Sequence, residues 1–406
     1  MTRTAPRARP AKELRHWRTA VFTIFALTGL VFATWASRVP GIRDLLGAST
    51  QEMGFLIIGI SAGSITGLIA ASHIIARLGA TRTILVVYAA VSVAMIALGL
   101  VVAVAPSFAA IFVILLVVGL SSVVDVAMNL SGAANERAIG RTIMPLFHAS
   151  FSGGTVLGAA LGSLLEAAGV PIAVHFAGVG VVALATTVVL VRFLQPAEQP
   201  IDATAEVAPS TWRDRLSVWR DRRVLLIGAV ALGMAFAEGS ANDWLSLAMV
   251  DGHGLDNAGG AAVLAVFLAA MTVGRIGGVP LLDRFGRVPV LRGTAALAVV
   301  GLLVVIFVPV DGIAVVGVVL WGLGASLGFP VAMSAAADDP RTATATVSAV
   351  ATIGYFAFLV GPPVIGVLGE HVGILNALLV VLVLVVGTGL AAPAAGSPSR
   401  PAARAA

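Results

Sequence analysis

Twelve apolar runs dominate the amino-acid sequence, and each is close to the ~20 residues that an α-helix needs to cross the ~30 Å hydrocarbon layer of a bilayer. Short turn signals rich in Pro, Gly and Ser separate most of them. The pattern predicts an all-α integral membrane protein of 12 transmembrane helices, spans 1 to 12, at residues 19–38, 53–76, 83–103, 108–131, 144–168, 171–193, 224–247, 259–280, 290–309, 313–333, 343–368 and 372–392.

The composition excludes a soluble protein, because only 11% of the residues are charged and 59% are hydrophobic. A soluble domain carries about 25% charged residues on average. The chain has no Cys, so disulfides and thiolate metal sites are excluded. Its only lysine is Lys12, so no phosphate-binding loop of the type GxxxxGK[ST] exists in the rest of the chain. This argues against an ATP-driven pump.

The basic residues predict how the chain is organised across the membrane. All of the 25 Lys and Arg residues except Arg38, Arg43 and Arg275 fall in segments on one side when the N-terminus is placed inside. The positive-inside rule then puts both termini in the cytoplasm of a multi-pass protein in the plasma membrane, the bacterial inner membrane. The predicted parts are a cytoplasmic segment, a six-helix bundle, a cytoplasmic linker, a second six-helix bundle and a tail, at residues 1–18, 19–193, 194–223, 224–392 and 393–406.

The two predicted bundles resemble each other in sequence at an offset near 204 residues. The segment 29–33 (GLVFA) aligns with 233–237 (GMAFA), and 126–129 (VAMN) aligns with 331–334 (VAMS). Glu166 and Glu370 also correspond, each flanked by glycines at equal spacing. Parallel repeats of this kind predict two pseudo-symmetric halves with a ligand site between them.

The loops after spans 2 and 8 carry related basic motifs, RLGATR and DRFGR. The second resembles the inside-loop signature of the major facilitator superfamily (MFS), and the resemblance extends over the whole chain. It implies a transporter that works by rocker-switch alternating access, with inside latches that involve Asp283, Arg284 and Arg287. Ala76 stands where the first copy would have its Asp, so no acidic latch is expected there. The gating motif comprises Arg77, Gly79, Arg82, Asp283, Arg284, Gly286 and Arg287.

Four further segments resemble the MosC/YbjJ-like branch of that superfamily. They are WASRVP at 35–40, DVAMN at 125–129, FHASFSGG at 147–154 and EGSANDW at 238–244. The branch implies a weak preference for small polyols or sugars as the transported solute.

Ionisable groups inside a membrane are costly and are functional candidates for that reason. Asp125 and Asn129 lie four residues apart in span 4 and so share a helix face, while His148 enters span 5 at a similar depth. We predict that Asp125 and His148 take part in proton coupling and that Asn129 binds substrate. The alternative is a fixed hydrogen bond between spans 4 and 5.

Span 7 carries the strongest candidate, Glu238, with Asn242 on the same face and Asp243 about 100° away. Glu238 and Asp243 are predicted proton-coupling residues, and Asn242 is a predicted substrate ligand. Trp35 and Trp244 lie near the outer ends of spans 1 and 7. An interfacial aromatic belt is favoured slightly over substrate stacking for these two indoles.

Three further side chains are predicted substrate ligands. Arg38 ends span 1 on the side poor in positive charge and is expected to pair with Asp243 or with an anionic group of the substrate. Arg275, in span 8, needs a partner or a water-filled cavity, and the alternative is a latch to Asp283 or Asp125. Tyr355 offers a hydroxyl at mid-depth in span 11. Glu166 and His175 are expected at helix ends, near water.

These features predict a secondary active transporter for a small polar solute, driven by protons. The alternatives are a drug or metabolite efflux pump with an apolar cavity, and a membrane sensor that does not transport. No cluster of catalytic side chains at one depth is apparent, so no enzyme activity is expected, nor any cofactor or metal. The expected partners are the solute, H⁺ and lipid, with no nucleic acid, and the protein is expected to be a monomer.

Overall fold

A computed structural model describes residues 11–141, 143–195, 218–339 and 342–396. Within these ranges the chain is almost entirely α-helical and contains no strand. Most of the predicted linker, the first ten residues and the end of the predicted tail lie outside the described residues. The chain divides into two compact units, residues 1–47 with 56–200, and residues 48–55 with 201–406.

The described part of unit 1 is built from seven helices. One of them, α2, begins within the short stretch 48–55 that groups with unit 2. They are α1 (Ala11–Leu46), α2 (Thr50–Leu78), α3 (Ala80–Val104), α4 (Phe108–Gly119), α5 (Ser122–Ile139), α6 (Met144–Ala167) and α7 (Ile172–Leu190).

Within its described residues, unit 2 contains eight helices and two short 3-10 turns, at Val218–Arg220 and Ala392–Ala395. The helices are α8 (Arg222–His253), α9 (Asn257–Phe285), α10 (Arg287–Phe307), α11 (Asp311–Ala325), α12 (Gly328–Ala336), α13 (Ala343–Val372), α14 (Ile374–Ala377) and α15 (Leu379–Ala391).

Twelve transmembrane segments account for these helices. Ten stretches are long and apolar enough to span a bilayer; one of them, Thr50–Val104, holds both α2 and α3, and α6 is the remaining segment. Spans 4, 10 and 12 are each interrupted once, so that two consecutive helices form each of them. The helices also extend beyond the predicted limits, as α1 does on both sides of 19–38.

The breaks in spans 4 and 10 fall at equivalent positions of the two sequence repeats, after Gly119 and after Ala325. In span 4 two serine side chains form hydrogen bonds with backbone carbonyls at the break, one donated from α2 and one donated to α2. Ser64 Oγ donates to the carbonyl of Gly119 (3.2 Å), and Ser122 Oγ donates to the carbonyl of Ser64 (2.8 Å). In span 10 Ser326 Oγ donates to the carbonyl of Leu323 (2.7 Å). Such bonds satisfy backbone groups that lipid could not.

Glycines let α1 and α6 approach at backbone distance. A Cβ at Gly154 would collide with the carbonyl oxygen of Ala26, and one at Gly158 would lie 2.6 Å from that of Leu30. Small residues at such seams are typical of membrane helix pairs. The first helix and α6 therefore form a tight pair within unit 1.

Candidate functional site

An ion pair inside the membrane-spanning part of unit 2 joins α8 to α9. Arg275 Nη2 donates to Glu238 Oε1 at 2.8 Å, and the two side chains are 32% and 21% exposed. A charged pair on two membrane-spanning helices is costly unless its charges are matched, and here each side chain supplies the counter-ion of the other. The sequence had proposed Asp283 or Asp125 as the partner of Arg275, and the structure places Glu238 there.

Unpartnered polar atoms surround this ion pair. Arg275 Nε and Asn242 Oδ1 are buried and make no hydrogen bond within the described residues. Asn242 lies one turn beyond Glu238 on α8, so a donor and an acceptor remain available beside the pair. Asp243 is half-buried on the neighbouring face.

Aromatic rings of α12 and α13 lie along the same stretch of unit 2. The ring of Tyr355 is 42% exposed, with its centroid 6.1 Å from that of Phe329 and 6.5 Å from that of Phe358. A Cβ at Gly239 would lie 3.1 Å from the Phe358 ring, which places this ring next to the turn that carries Glu238. An aromatic ring therefore lies one residue from Glu238 along α8.

The two tryptophans predicted near the membrane interface are buried. Trp35 is 2% exposed and Trp244 is 0% exposed, so neither contributes to an interfacial belt. Their indole Nε1 atoms have no hydrogen-bond acceptor in the described part of the chain. The apolar packing of α1 and α8 decides their position, and their sequence positions near span ends did not reveal it.

Unit 1 has its own polar group, at the first turn of α5. Asp125 Oδ1 is buried without a hydrogen-bond partner among the described residues, and Asn129 Nδ2 donates to the Asp125 carbonyl at 2.7 Å. Thr28 of α1 is hydrogen-bonded to Tyr88 of α3, and it also contacts the sulfur of Met128 (3.7 Å) in α5. Sequence reasoning missed Tyr88, which a search for hydroxyl groups inside spans would have found.

His148 lies near the start of α6. Its exposed imidazole packs edge-on against Phe25 of α1, with ring centroids 5.3 Å apart. The coupling of His148 to Asp125 stays a prediction.

Arg38 is almost completely buried in unit 1, where three helices meet. Its guanidinium pairs with Glu166 of α6, donates from Nε to His175 Nδ1 of α7 (3.1 Å) and donates from Nη2 to the Val170 carbonyl (3.2 Å). Glu166 and His175 were expected near water, and the structure instead makes them partners of a buried cation.

The motif loops make tight turns at matching glycines. Gly79 and Gly286 have φ of +75° and +77°, a conformation that glycine adopts without strain. Arg77, Arg82 and Asp283 are exposed, and the Arg284 guanidinium lies 5.2 Å from the centre of the Phe285 ring.

In unit 2 the motif residue Arg287 pairs with Asp338, and the latch role of Asp283 stays a prediction. Arg287 Nη1 donates to both carboxylate oxygens of Asp338 (2.8 and 2.9 Å), and its Nη2 donates to Ser334 Oγ (2.8 Å). Arg223 Nη2 also donates to Asp338, at 3.0 Å. Asp283 makes no hydrogen bond or ion pair within the described residues. Sequence reasoning missed Asp338, because it lies 51 residues from Arg287 with no motif around it.

No group of three or more acidic, Cys or His side chains that could hold a metal ion occurs among the residues described.

A family model described as Major Facilitator Superfamily matches residues 21–362. The chain is 30% identical over 349 residues to an uncharacterized MFS-type transporter of Yersinia pestis, covering 85% of this chain and 87% of that protein. It is 26% identical over 403 residues to the membrane protein MosC of Rhizobium meliloti, covering 94% of each.

Among solved structures, the fold is similar to a bacterial homolog of the human lysosomal transporter Spinster, in an inward-facing and unoccupied conformation. The TM-score is 0.74 at 13% identity, with 97% of this chain and 100% of that chain covered. At this identity the likeness concerns the fold alone.

Proposed function

Since the chain belongs to the major facilitator superfamily of membrane transporters, we propose that it is a secondary active transporter which moves a small polar solute by rocker-switch alternating access coupled to protons. The observation that carries the proposal is the partly exposed ion pair of Glu238 and Arg275 within the apolar helices of unit 2.

The pair offers a physical route to coupling. A proton on the Glu238 carboxylate cancels its charge and removes the attraction that holds the guanidinium at 2.8 Å. Arg275 stays charged under all physiological conditions, so it must find other acceptors once Glu238 is neutral. Oxygen atoms of a bound solute are suitable acceptors, and binding of solute and of proton then favour each other.

The chemistry around the pair favours a small, hydroxyl-bearing solute such as a sugar or polyol. The opposite charges of Glu238 and Arg275 cancel, so the pair presents no net charge to a strongly ionic ligand. The free Nε of Arg275 can donate to a hydroxyl, and Asn242 Oδ1 can accept from one. Tyr355 supplies an exposed aromatic face against which an apolar ring face can pack.

Asp125 is a second proton site in this proposal, because its Oδ1 lies unpartnered in the first turn of α5, directly after the break in span 4. We place the protein in the plasma membrane with both termini in the cytoplasm, as the distribution of basic residues favours.

Transport in proteoliposomes tests the proposal. A thermal-shift screen of the purified protein against sugars, polyols, organic acids and nucleosides first selects the solute. An inward proton gradient is expected to drive accumulation of that solute above its external concentration. Glu238→Gln is expected to abolish accumulation while solute exchange continues, since exchange moves no net proton.

Glu13→Gln serves as a control, because Glu13 is exposed at the start of α1. Accumulation that is indifferent to the proton gradient, and unchanged in Glu238→Gln and Asp125→Asn, would contradict proton coupling.

A further inference from the structure

Arg38, Glu166 and His175 form a buried cluster at one end of unit 1 that the proposed transport mechanism does not use. Arg38 and His175 are 2% and 3% exposed, whereas the Glu166 side chain is 24% exposed. The three residues come from different helices: Glu166 is next to last in α6, and His175 lies in the first turn of α7. The cluster therefore ties the start of α7 and the end of α6 to α1.

The hydrogen bonds fix the protonation state of the imidazole. Arg38 Nε can only donate, so His175 Nδ1 must present its lone pair at 3.1 Å, and the ring proton must lie on Nε2. Nε2 is buried and has no hydrogen-bond partner among the described residues. The ring is thus held at this position by one polar contact, which exists only while the ring is neutral.

A second proton on the ring is incompatible with this contact. A proton on Nδ1 would place an N–H opposite the N–H of Arg38 and a cation beside a guanidinium that cannot lose its own charge. Arg38 would keep Glu166 and the Val170 carbonyl, both of which precede α7. Loss of the contact therefore removes this polar attachment of α7 to α1 while leaving that of α6 in place.

We propose that His175 is a proton-binding site of unit 1, at which uptake of a proton detaches the start of α7 from Arg38 on α1. The closed contact is present when His175 is neutral and is lost as the pH falls. The exposed edge of Glu166 is the route by which solvent protons reach the cluster. This inference concerns unit 1 alone and does not depend on the proposed transport of a solute.

The other ionisable groups on the packed helices are distant from the cluster or are paired with each other. Arg43 donates to Asp44 (2.8 Å) at the end of α1. On α3, which packs against α7, Tyr88 is bonded to Thr28, ten residues before Arg38, and Arg82 lies at the opposite end of the helix. On α5, Asp125 lies beside the Thr28 region, and Glu136 and Arg137 follow three turns further away from the cluster.

A distance measurement between spin labels on α1 and α7 tests the inference. The chain has no cysteine, so Leu45→Cys and Val174→Cys introduce the only two labelling sites. Both positions are well exposed, at 53% and 60%. The doubly labelled full chain is reconstituted in lipid nanodiscs and frozen at values from about pH 8 to about pH 3.5. The series extends below the ordinary titration range of histidine, because burial and the contact with Arg38 both favour the neutral ring.

As the pH falls, a second population with a longer distance between the labels is expected to increase. For one linked proton, the ratio of the long-distance to the short-distance population rises by up to about tenfold per pH unit. His175→Asn removes the titration but keeps an acceptor, because Asn Oδ1 can take the place of Nδ1. This variant is expected to retain the short distance at every pH. His73→Asn, at an exposed position of α2, is the matched control and should titrate like the parent chain.

Three results would overturn the inference: a distance distribution independent of pH in the parent chain, a pH dependence that survives in His175→Asn, or one that disappears only in Glu166→Gln. If His175→Asn does not fold, His175→Gln replaces it, and the titration of the parent chain remains decisive alone. Because no solute flux is measured, failure of the transport proposal leaves this result unaffected.

Discussion

At the scale of single residues, two arginines inside the spans each pair with an acid of their own unit. Arg275 pairs with Glu238, and Arg38 pairs with Glu166. The first pair is partly exposed and the second holds an almost completely buried guanidinium, so the two should differ in what they contribute. Removal of one partner of a buried pair leaves an uncompensated charge, and this is much costlier than removal of an exposed pair.

Glu166→Gln is expected to lower the free energy of unfolding by about 3 kcal/mol, because it leaves Arg38 charged and buried without a counter-ion. Denaturant unfolding of the purified protein measures the change. Glu370→Gln is the matched control: Glu370 is the equivalent residue of the second repeat and is exposed. An effect within about 0.5 kcal/mol is expected for the control, and equal losses in both variants would contradict the assignment.

The Glu238–Arg275 pair predicts non-additive mutations. Glu238→Gln and Arg275→Gln each leave the other charge unmatched within the membrane, whereas the double variant leaves none. The double variant is therefore expected to be more stable than the sum of the two single changes implies, with a coupling energy of about 0.5–3 kcal/mol. Thermal or denaturant unfolding of the four proteins provides the cycle, and additive effects would show that the pair is not energetically coupled.

At the scale of helices, close approach and irregular backbone determine the architecture. Gly154 lies against the carbonyl of Ala26, while its neighbour Gly153 has open space at its Cβ position. The sequence shows two adjacent glycines with no difference between them. Only the helix rotation, fixed by packing against α1, makes one of them irreplaceable.

Gly154→Ala is expected to destabilise the protein by about 1–3 kcal/mol, because the added methyl group overpacks the seam of α1 and α6 against backbone that cannot move away. Gly153→Ala should be neutral or stabilising by up to about 1 kcal/mol, since alanine favours the helix. The melting temperatures of the two purified variants test this, and similar values would contradict the seam.

The packing of helices also determines which acid pairs with Arg287 of the motif. Asp338→Asn is expected to weaken the attachment of both Arg287 and Arg223 and to lower the melting temperature, because Asp338 accepts from both guanidinium groups. Asp283→Asn changes the acid of the sequence motif and should have little effect in this conformation, since Asp283 is exposed. A lower melting temperature for Asp283→Asn than for Asp338→Asn would instead identify Asp283 as the latch acid.

At the scale of the whole molecule, two properties concern all the spans together, the count of twelve and the orientation. The resemblance to the major facilitator superfamily and to its MosC-like branch is confirmed by the family match and by the similarity to MosC. The orientation stays a prediction, which rests on the positive-inside rule.

Single cysteines test the orientation, because the chain contains none of its own. Ala168→Cys, in the turn between α6 and α7, is expected to react with an impermeant maleimide in intact cells. Arg141→Cys, in the turn between α5 and α6, is expected to react only after permeabilisation. Both positions are exposed. Reversed labelling would place the termini outside.

The sequence by itself determined the fold class, because the length and hydropathy of the spans are properties of each segment alone. The repeat and the DRFGR motif were equally readable, since they are local strings. It also identified Glu238 and Arg275 as costly charges, yet paired Arg275 with other acids.

Only the tertiary structure decided which side chains meet. In the structure Glu238 pairs with Arg275, and the motif arginine pairs with Asp338 and not with Asp283. Both tryptophans are buried, and Glu166 and His175 contact Arg38. The tertiary structure also divided spans 4 and 10, where side-chain hydroxyl groups take over backbone bonds. Such contacts depend on how each helix is rotated and on its depth against its neighbours, and an apolar sequence without polar periodicity does not specify helix rotation.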